Sequence, residues 1–492
     1  MLKPVTPPRI LTGVCGLDHI LQGGLPRGGL YLIEGQPGSA KTTLALQYLL
    51  TGAENDEPTL LISLSETKKE LETFAASHGW SLDGIEIMDL SDLWRIMGDE
   101  GKQSVFYSSE VELMEVIKLI ETRIDEIQPT RLVIDSLSEF RHLAGSDAVY
   151  RLNMDVLKPH LIAENRTAIM VDTLSSPDTY SLHTLVHGVI SLSFSSPEVG
   201  PYRRQLLIQK IRGVKFMEGL HDFEVMTGKL AVYPRLTATS TPQAEPRRLG
   251  QACSGIEELD AILGGGLDRG TSTLIMGPAG SGKSTMAAQF ADAAGKRGEK
   301  VAMYLFDEHL DTVMARSDGV GLDTAAQLSG GSLTIQAIDP MEMSPGKFAH
   351  LVRTSVEQGA TMVVIDSLTG YVTSMGDSMS LTLQIRNLLS YLAERNVATL
   401  LISVQHGLFG ATDALSGNIS YIADNVVLFR YFEHKGDVRR ALSVFKRRAG
   451  RHERTIREID FSPAGINVGP PLTEFRGVLR GTPSFDGQPE DD

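Results

Sequence analysis

The chain repeats itself. Set against its own second half, Thr12-Gly13 falls on Ser254-Gly255, Leu17-Asp18 on Leu259-Asp260, Gly24-Leu25 on Gly266-Leu267 and Arg27-Gly28 on Arg269-Gly270, all at a shift of 242 residues. The register then carries Gly35 onto Gly277, Lys41 onto Lys283, Gln47 onto Gln289 and Glu66 onto Glu308 without a gap. Self-similarity over this length means two copies of one domain. Farther on, Asp135 meets Asp366 and the shift falls from 242 to 231, so the first copy carries eleven extra residues. They read as a surface loop around Arg95 to Val105.

The expected division is a first domain over residues 1–235, a linker over 236–249, a second domain over 250–480 and an acidic, disordered tail over 481–492. The linker is marked by a loss of apolar periodicity and a gathering of Pro, Thr, Ser and Arg. Short apolar runs, such as Leu60 to Leu64 and Arg131 to Asp135, alternate with helical stretches such as Thr43 to Thr51. Runs without polar alternation suit strands buried on both faces, so each copy reads as α/β, with a mostly parallel twisted sheet flanked by helices.

Charge and composition narrow the function. With 46 Lys and Arg against 61 Asp and Glu, the net charge of −15 repels phosphate backbones and anionic lipid. Nucleic acid and membrane are therefore not expected as partners. Two cysteines make no disulfide framework, and the N-terminus lacks an apolar signal core, so the cytoplasm is the expected compartment.

The chemistry lies in two glycine-rich loops. Residues Gly277 to Thr285 read GPAGSGKST directly after a strand-like run, the full phosphate-loop pattern. Backbone N–H groups around Gly280, Ser281 and Gly282 would face a triphosphate, Lys283 would reach its outer oxygens, Ser284 would ligate Mg²⁺, and Thr285 opens the helix. The first copy reads GQPGSAKTT, placing Gly38, Ser39, Ala40, Lys41, Thr42 and Thr43 in those roles, with Ala40 where the pattern asks for glycine. Each copy also ends a buried strand in an acid, Asp135 or Asp366, suited to holding Mg²⁺ beside the loop. ATP and Mg²⁺ are the expected ligands.

Hydrolysis needs a carboxylate to act on the nucleophile. Candidates close the preceding strand: Glu66 in the first copy, Asp307 and Glu308 in the second. The alternative is that these residues cap the helix that follows. Late in each copy come Lys210 and Arg212, and Lys446 and Arg448. A Lys-x-Arg on a strand puts two cations on one face, which serves a solvated edge as well as a site.

Tandem phosphate loops, the strand-end acids, the paired Lys-x-Arg motifs and the closing FRGVLRGTP from Phe475 together resemble the KaiC family of cyanobacterial clock proteins. The resemblance spans nearly the whole chain. It implies RecA-like domains, a homo-hexamer of two stacked rings, and ATP at subunit interfaces, with Lys210, Arg212, Lys446 and Arg448 reaching a neighbour's γ-phosphate. It also implies an autokinase in the second domain, with Ser420 as acceptor and Tyr421, in place of a threonine, as a lesser one. Asp307 takes the place of the family's catalytic glutamate, and Gln405 lies where related ATPases keep a γ-phosphate sensor. Ser65, at Asp307's place in the first copy, is no base at neutral pH, so slow turnover is expected there. The short tail predicts no engagement of a KaiA-type activator, and leaves a signalling partner unidentified. Two other readings share the loops: a nucleotide-gated scaffold that transfers no phosphate, and a RecA- or helicase-type DNA-dependent ATPase.

Overall fold

The computed structural model describes residues 7–91, 109–163, 165–173, 180–196, 202–236, 250–375, 378–405, 421–478 and 484–485. The expected insert around Arg95 to Val105 lies outside them, as do residues 237–249 of the expected linker. The chain divides into two units, Met1–Arg235 and Leu236–Asp492. Leu236, expected to begin the linker, is instead buried in the core of the second unit.

The first unit holds a nine-stranded sheet. Its strands are β1 (Leu30–Gly35), β2 (Thr59–Ser63), β3 (Ile85–Asp89), β4 (Arg131–Asp135), β5 (Thr167–Thr173), β6 (Gly188–Ser195), β7 (Arg203–Ile211), β8 (Leu220–Met226) and β9 (Lys229–Tyr233). They lie in the order β9-β8-β7-β6-β1-β5-β4-β2-β3. From β3 to β6 all pairings are parallel, and β6 to β9 form an antiparallel extension.

The second unit repeats that order. Its strands β10 (Ser272–Gly277), β11 (Lys300–Leu305), β12 (Leu333–Ala337), β13 (Ala360–Asp366), β14 (Ala398–Val404), β15 (Asn425–His434), β16 (Asp437–Arg447), β17 (Arg457–Ser462) and β18 (Gly465–Pro471) run β18-β17-β16-β15-β10-β14-β13-β11-β12. Identical topology in both halves is what the internal repeat requires.

Burial explains the parallel part. Every residue of β1, β2, β4 and β10 is buried, because helices cover both faces of the sheet. Each leucine or isoleucine buried there contributes roughly 1.5–3 kcal/mol of transfer free energy. Two large apolar clusters result in each unit, one against the helix that follows the phosphate loop and one against the helices of the opposite face. In the antiparallel extension, β7 and β8 show interrupted burial, as strands solvated on one face do. In the segment expected to be disordered, Ser484–Phe485 pairs with Phe475–Arg476 as a short antiparallel ladder. No helix among the described residues is long and apolar enough to cross a membrane.

Candidate functional site

Each phosphate loop joins the end of a central strand to a long helix, Lys41–Ala53 after β1 and Lys283–Lys296 after β10. The turn into each helix takes a left-handed residue, Ala40 at φ 72° and Gly282 at φ 100°. Glycine bears this without cost, whereas alanine gives up roughly 1–2 kcal/mol. The substitution at Ala40 therefore leaves the loop geometry in place and charges it with strain. Ser39 and Ser281 are fully buried beneath the loops.

The loop lysines turn inward onto their own backbone. Lys41 Nζ donates to the carbonyls of Gly35 at 3.0 Å and Gln36 at 2.9 Å, and Lys283 Nζ to that of Pro278 at 2.6 Å. Burial pulls both ammonium groups down, Lys283 to about 8, against the opposing pull of Asp366 and Glu308.

The strand-end acids lie beside the loop hydroxyls. Thr42 Oγ1 donates to Asp135 Oδ2 at 2.7 Å, and Ser284 stands in the matching place beside Asp366, close enough to oppose the rise of its carboxyl. Burial lifts both carboxyls, Asp366 to about 6, with the Ser284 hydrogen bond opposing the rise. Hydroxyl and carboxylate oxygens side by side are the donor set that a hard divalent cation takes.

The base candidates part ways. Asp307 is exposed and accepts a hydrogen bond from Ser367 Oγ, next to Asp366. Both carboxylate oxygens of Glu308 are instead held by Arg316 Nη1 at 2.6 Å. Glu66 is half-buried, and burial, with Asp135 and Glu70 nearby, raises its carboxyl. Ser65 is exposed.

The Lys-x-Arg motifs occupy matching places at the far end of the parallel strands. Lys210 pairs with Val189, and Lys446 with Val426, each beside a register shift. Arg212 N donates to His187 O at 2.8 Å and Arg448 N to Asp424 O at 3.0 Å. In the first unit Lys210 Nζ donates to His183 O and Arg212 Nη2 to Thr184 O, so both cations rest on the helix Tyr180–Leu185. In the second, Lys446 Nζ donates to Ala423 O at 2.7 Å and Arg448 reaches Asp424 at 3.0 Å. Gln405 is buried, accepts from Arg430, and its backbone N donates to Gly277 O at 3.0 Å. Tyr421 is 80% exposed, while Ser420 lies outside the described residues.

Sequence reasoning missed a polar cluster beside the first loop. Glu34, the last residue before Gly35, is buried and accepts from Ser191 Oγ at 2.7 Å and Gln209 Nε2 at 2.9 Å, with His183 Nε2 at 2.7 Å from its other oxygen. Asp172, its neighbour across the β1–β5 ladder, is fully buried and bonded to Arg141 Nη2 at 2.6 Å. A glutamate in an otherwise apolar strand was the available signal.

A family model described as the KaiC ATPase matches residues 10–237 and again 252–473. Circadian clock protein KaiC3 of Synechocystis is 28% identical over 98% of this chain and 96% of its own length. The clock oscillator protein KaiC of Acaryochloris marina is 25% identical over 97% and 91%, and that of Parathermosynechococcus lividus 26% over 97% and 88%. Two RecA-like units in tandem, a phosphate loop and a strand-end acid in each, and two family matches that together span most of the sequence lead to one conclusion: the chain belongs to the KaiC family of ATPases.

Proposed function

We propose that both units bind ATP with Mg²⁺ and hydrolyse it, at sites completed by the neighbouring subunits of a homo-hexamer. The observation that carries this reading is the hydroxyl–carboxylate pair beside a buried loop lysine, present once in each unit. Thr42 with Asp135, and Ser284 with Asp366, would hold Mg²⁺, which neutralises charge building on the transferred phosphoryl group. Lys41 and Lys283 would leave their own carbonyls for the phosphate oxygens. Lys210, Arg212, Lys446 and Arg448, gathered in pairs at one end of each sheet, would serve the adjoining subunit's nucleotide, where a positive group stabilises the transition state.

In the second unit the same nucleotide would phosphorylate Ser420 of a neighbouring subunit, with Tyr421 as a lesser acceptor. The exposure of Tyr421 supports an accessible acceptor segment. Asp307 is the base for either transfer. Incubating the purified chain with ATP and Mg²⁺ tests these statements together, through particle mass, ADP release and phosphopeptide mapping. A hexamer that releases ADP and carries phosphate at Ser420 is expected. ADP release with no phosphate at Ser420 removes the autokinase and leaves a nucleotide-gated signalling ATPase. A monomer that binds no nucleotide removes the whole reading.

A further inference from the structure

The strand ends around the two acids share one register. β2 pairs with β4 so that Ser63 faces Asp135, and β11 pairs with β13 so that Leu305 faces Asp366. Leu64 N then donates to Asp135 O at 2.8 Å, and Phe306 N to Asp366 O at 2.7 Å. Ser65 therefore stands in the first unit where Asp307 stands in the second. Each acid is followed by a serine and a helix, Leu137–Ala144 or Leu368–Met375, so Glu139 stands where Gly370 stands.

These two positions are in contact. A Cβ on Gly370 would lie 2.7 Å from both Cγ and Oδ2 of Asp307, closer than atoms pack. The carboxylate fills the space that a side chain at residue 370 would need. Ser367 holds it there, donating to Asp307 and accepting from Gly370 N at 2.9 Å. In the first unit both members of the pair have changed. Position 65 has shrunk to serine, position 139 has gained a half-buried glutamate, and Ser136, the counterpart of Ser367, bonds to Ser138 instead. By the register of the repeat, the β-carbon of Glu139 takes the place of the one Gly370 lacks, the place where a Cβ would meet the carboxylate of Asp307 in the other unit.

We propose that Glu139 is the carboxylate that acts on the attacking water in the first site, so that the acid has moved from the strand end to the facing helix. The inference rests on the reading of the first unit as an ATP-hydrolysing site. Glu139 accepts a proton from water as the water oxygen bonds to the γ-phosphorus. The bond from that phosphorus to the bridging oxygen breaks, and ADP leaves with the electron pair. Inorganic phosphate is the second product, and the carboxyl returns its proton to solvent.

The test uses the full chain with the second site silenced by Lys283→Ala, following ADP release across pH and the binding of a non-hydrolysable fluorescent ATP analogue. Glu139→Gln keeps the shape of the side chain and should lower hydrolysis by roughly 100-fold or more, the ordinary contribution of a base, with analogue affinity unchanged and the acid limb of the pH profile gone. The pair Ser65→Asp with Glu139→Gly installs the second unit's arrangement and should restore hydrolysis. Full activity in Glu139→Gln, or a silent first site before any change at Glu139, overturns the proposal. Loss of activity in Glu66→Gln but not in Glu139→Gln assigns the role to Glu66. A Lys41→Ala variant that binds the analogue undiminished removes the nucleotide reading itself, a result distinct from these.

Discussion

The ring of Phe461 sits over the α-carbon of Gly282, so that a methyl there would come within 3.0 Å of three ring carbons. Phe461 is one residue before the tight turn joining β17 and β18, and Val225 is one residue before the turn joining β8 and β9. The first unit thus has Ala40 with Val225 where the second has Gly282 with Phe461. A smaller side chain across the sheet extension leaves room for the extra methyl on the loop. The departure from the phosphate-loop pattern is half of a compensated pair.

Gly282→Ala should therefore be far more damaging than Ala40 is in its own unit, adding a clash with Phe461 to the left-handed strain. The reverse change, Ala40→Gly, should stabilise the first unit by about 1 kcal/mol, because glycine takes the same φ without penalty. For a unit of this size that is a rise in Tm of roughly 2–4 °C, read by calorimetry of the apo protein. A fall in Tm would show that Ala40 contributes packing that outweighs its backbone strain.

Burial holds the Lys283 ammonium down to about 8 in the free protein. Because its charged form is what attracts phosphate, affinity at the second site should decline as pH rises through about 8, with Lys41→Ala present to silence the first site. Lys283→Arg keeps its charge and should flatten that decline, even where it lowers affinity overall. Analogue titrations at a series of pH values provide the check.

Glu34 accepts from Ser191 and Gln209 and meets His183, whereas Met276 and Leu428 fill the positions of Glu34 and Ser191 in the second unit. Glu34→Met alone should cost the first unit about 0.5–1.5 kcal/mol for each hydrogen bond removed, because Ser191 and His183 are only half-buried and Gln209 is exposed. Adding Ser191→Leu should recover part of that loss. The same change should slow hydrolysis, because the helix carrying His183 also supports Lys210 and Arg212. Thermal unfolding and ADP release on the same samples separate the two effects.

If the Lys210 cation acts on a neighbour, two inactive variants should complement each other. Lys41→Ala abolishes a subunit's own loop but keeps its Lys210, and Lys210→Ala does the opposite. With Lys283→Ala in both, mixed rings should regain hydrolysis that neither variant shows alone. Mixtures that stay silent while exchanging subunits would place Lys210 within its own subunit's site.

Some features of this protein are carried by neighbouring residues and are legible without coordinates. A phosphate loop is a run of consecutive backbone groups, so its spacing is visible in the string GPAGSGKST. The acids Asp135 and Asp366 end apolar runs, and the repeat confirms each by the other. Other features arise where segments far apart in the chain meet in register. That Ser65 and Glu139 exchange places with Asp307 and Gly370 depends on a strand lying against a helix some seventy residues away. Phe461 over Gly282, and Glu34 among Ser191, Gln209 and His183, follow the same rule. Local spacing determines what chemistry each loop can hold. Only packing between distant elements decides which carboxylate reaches that loop, because side-chain proximity across a sheet is set by register and not by order along the chain.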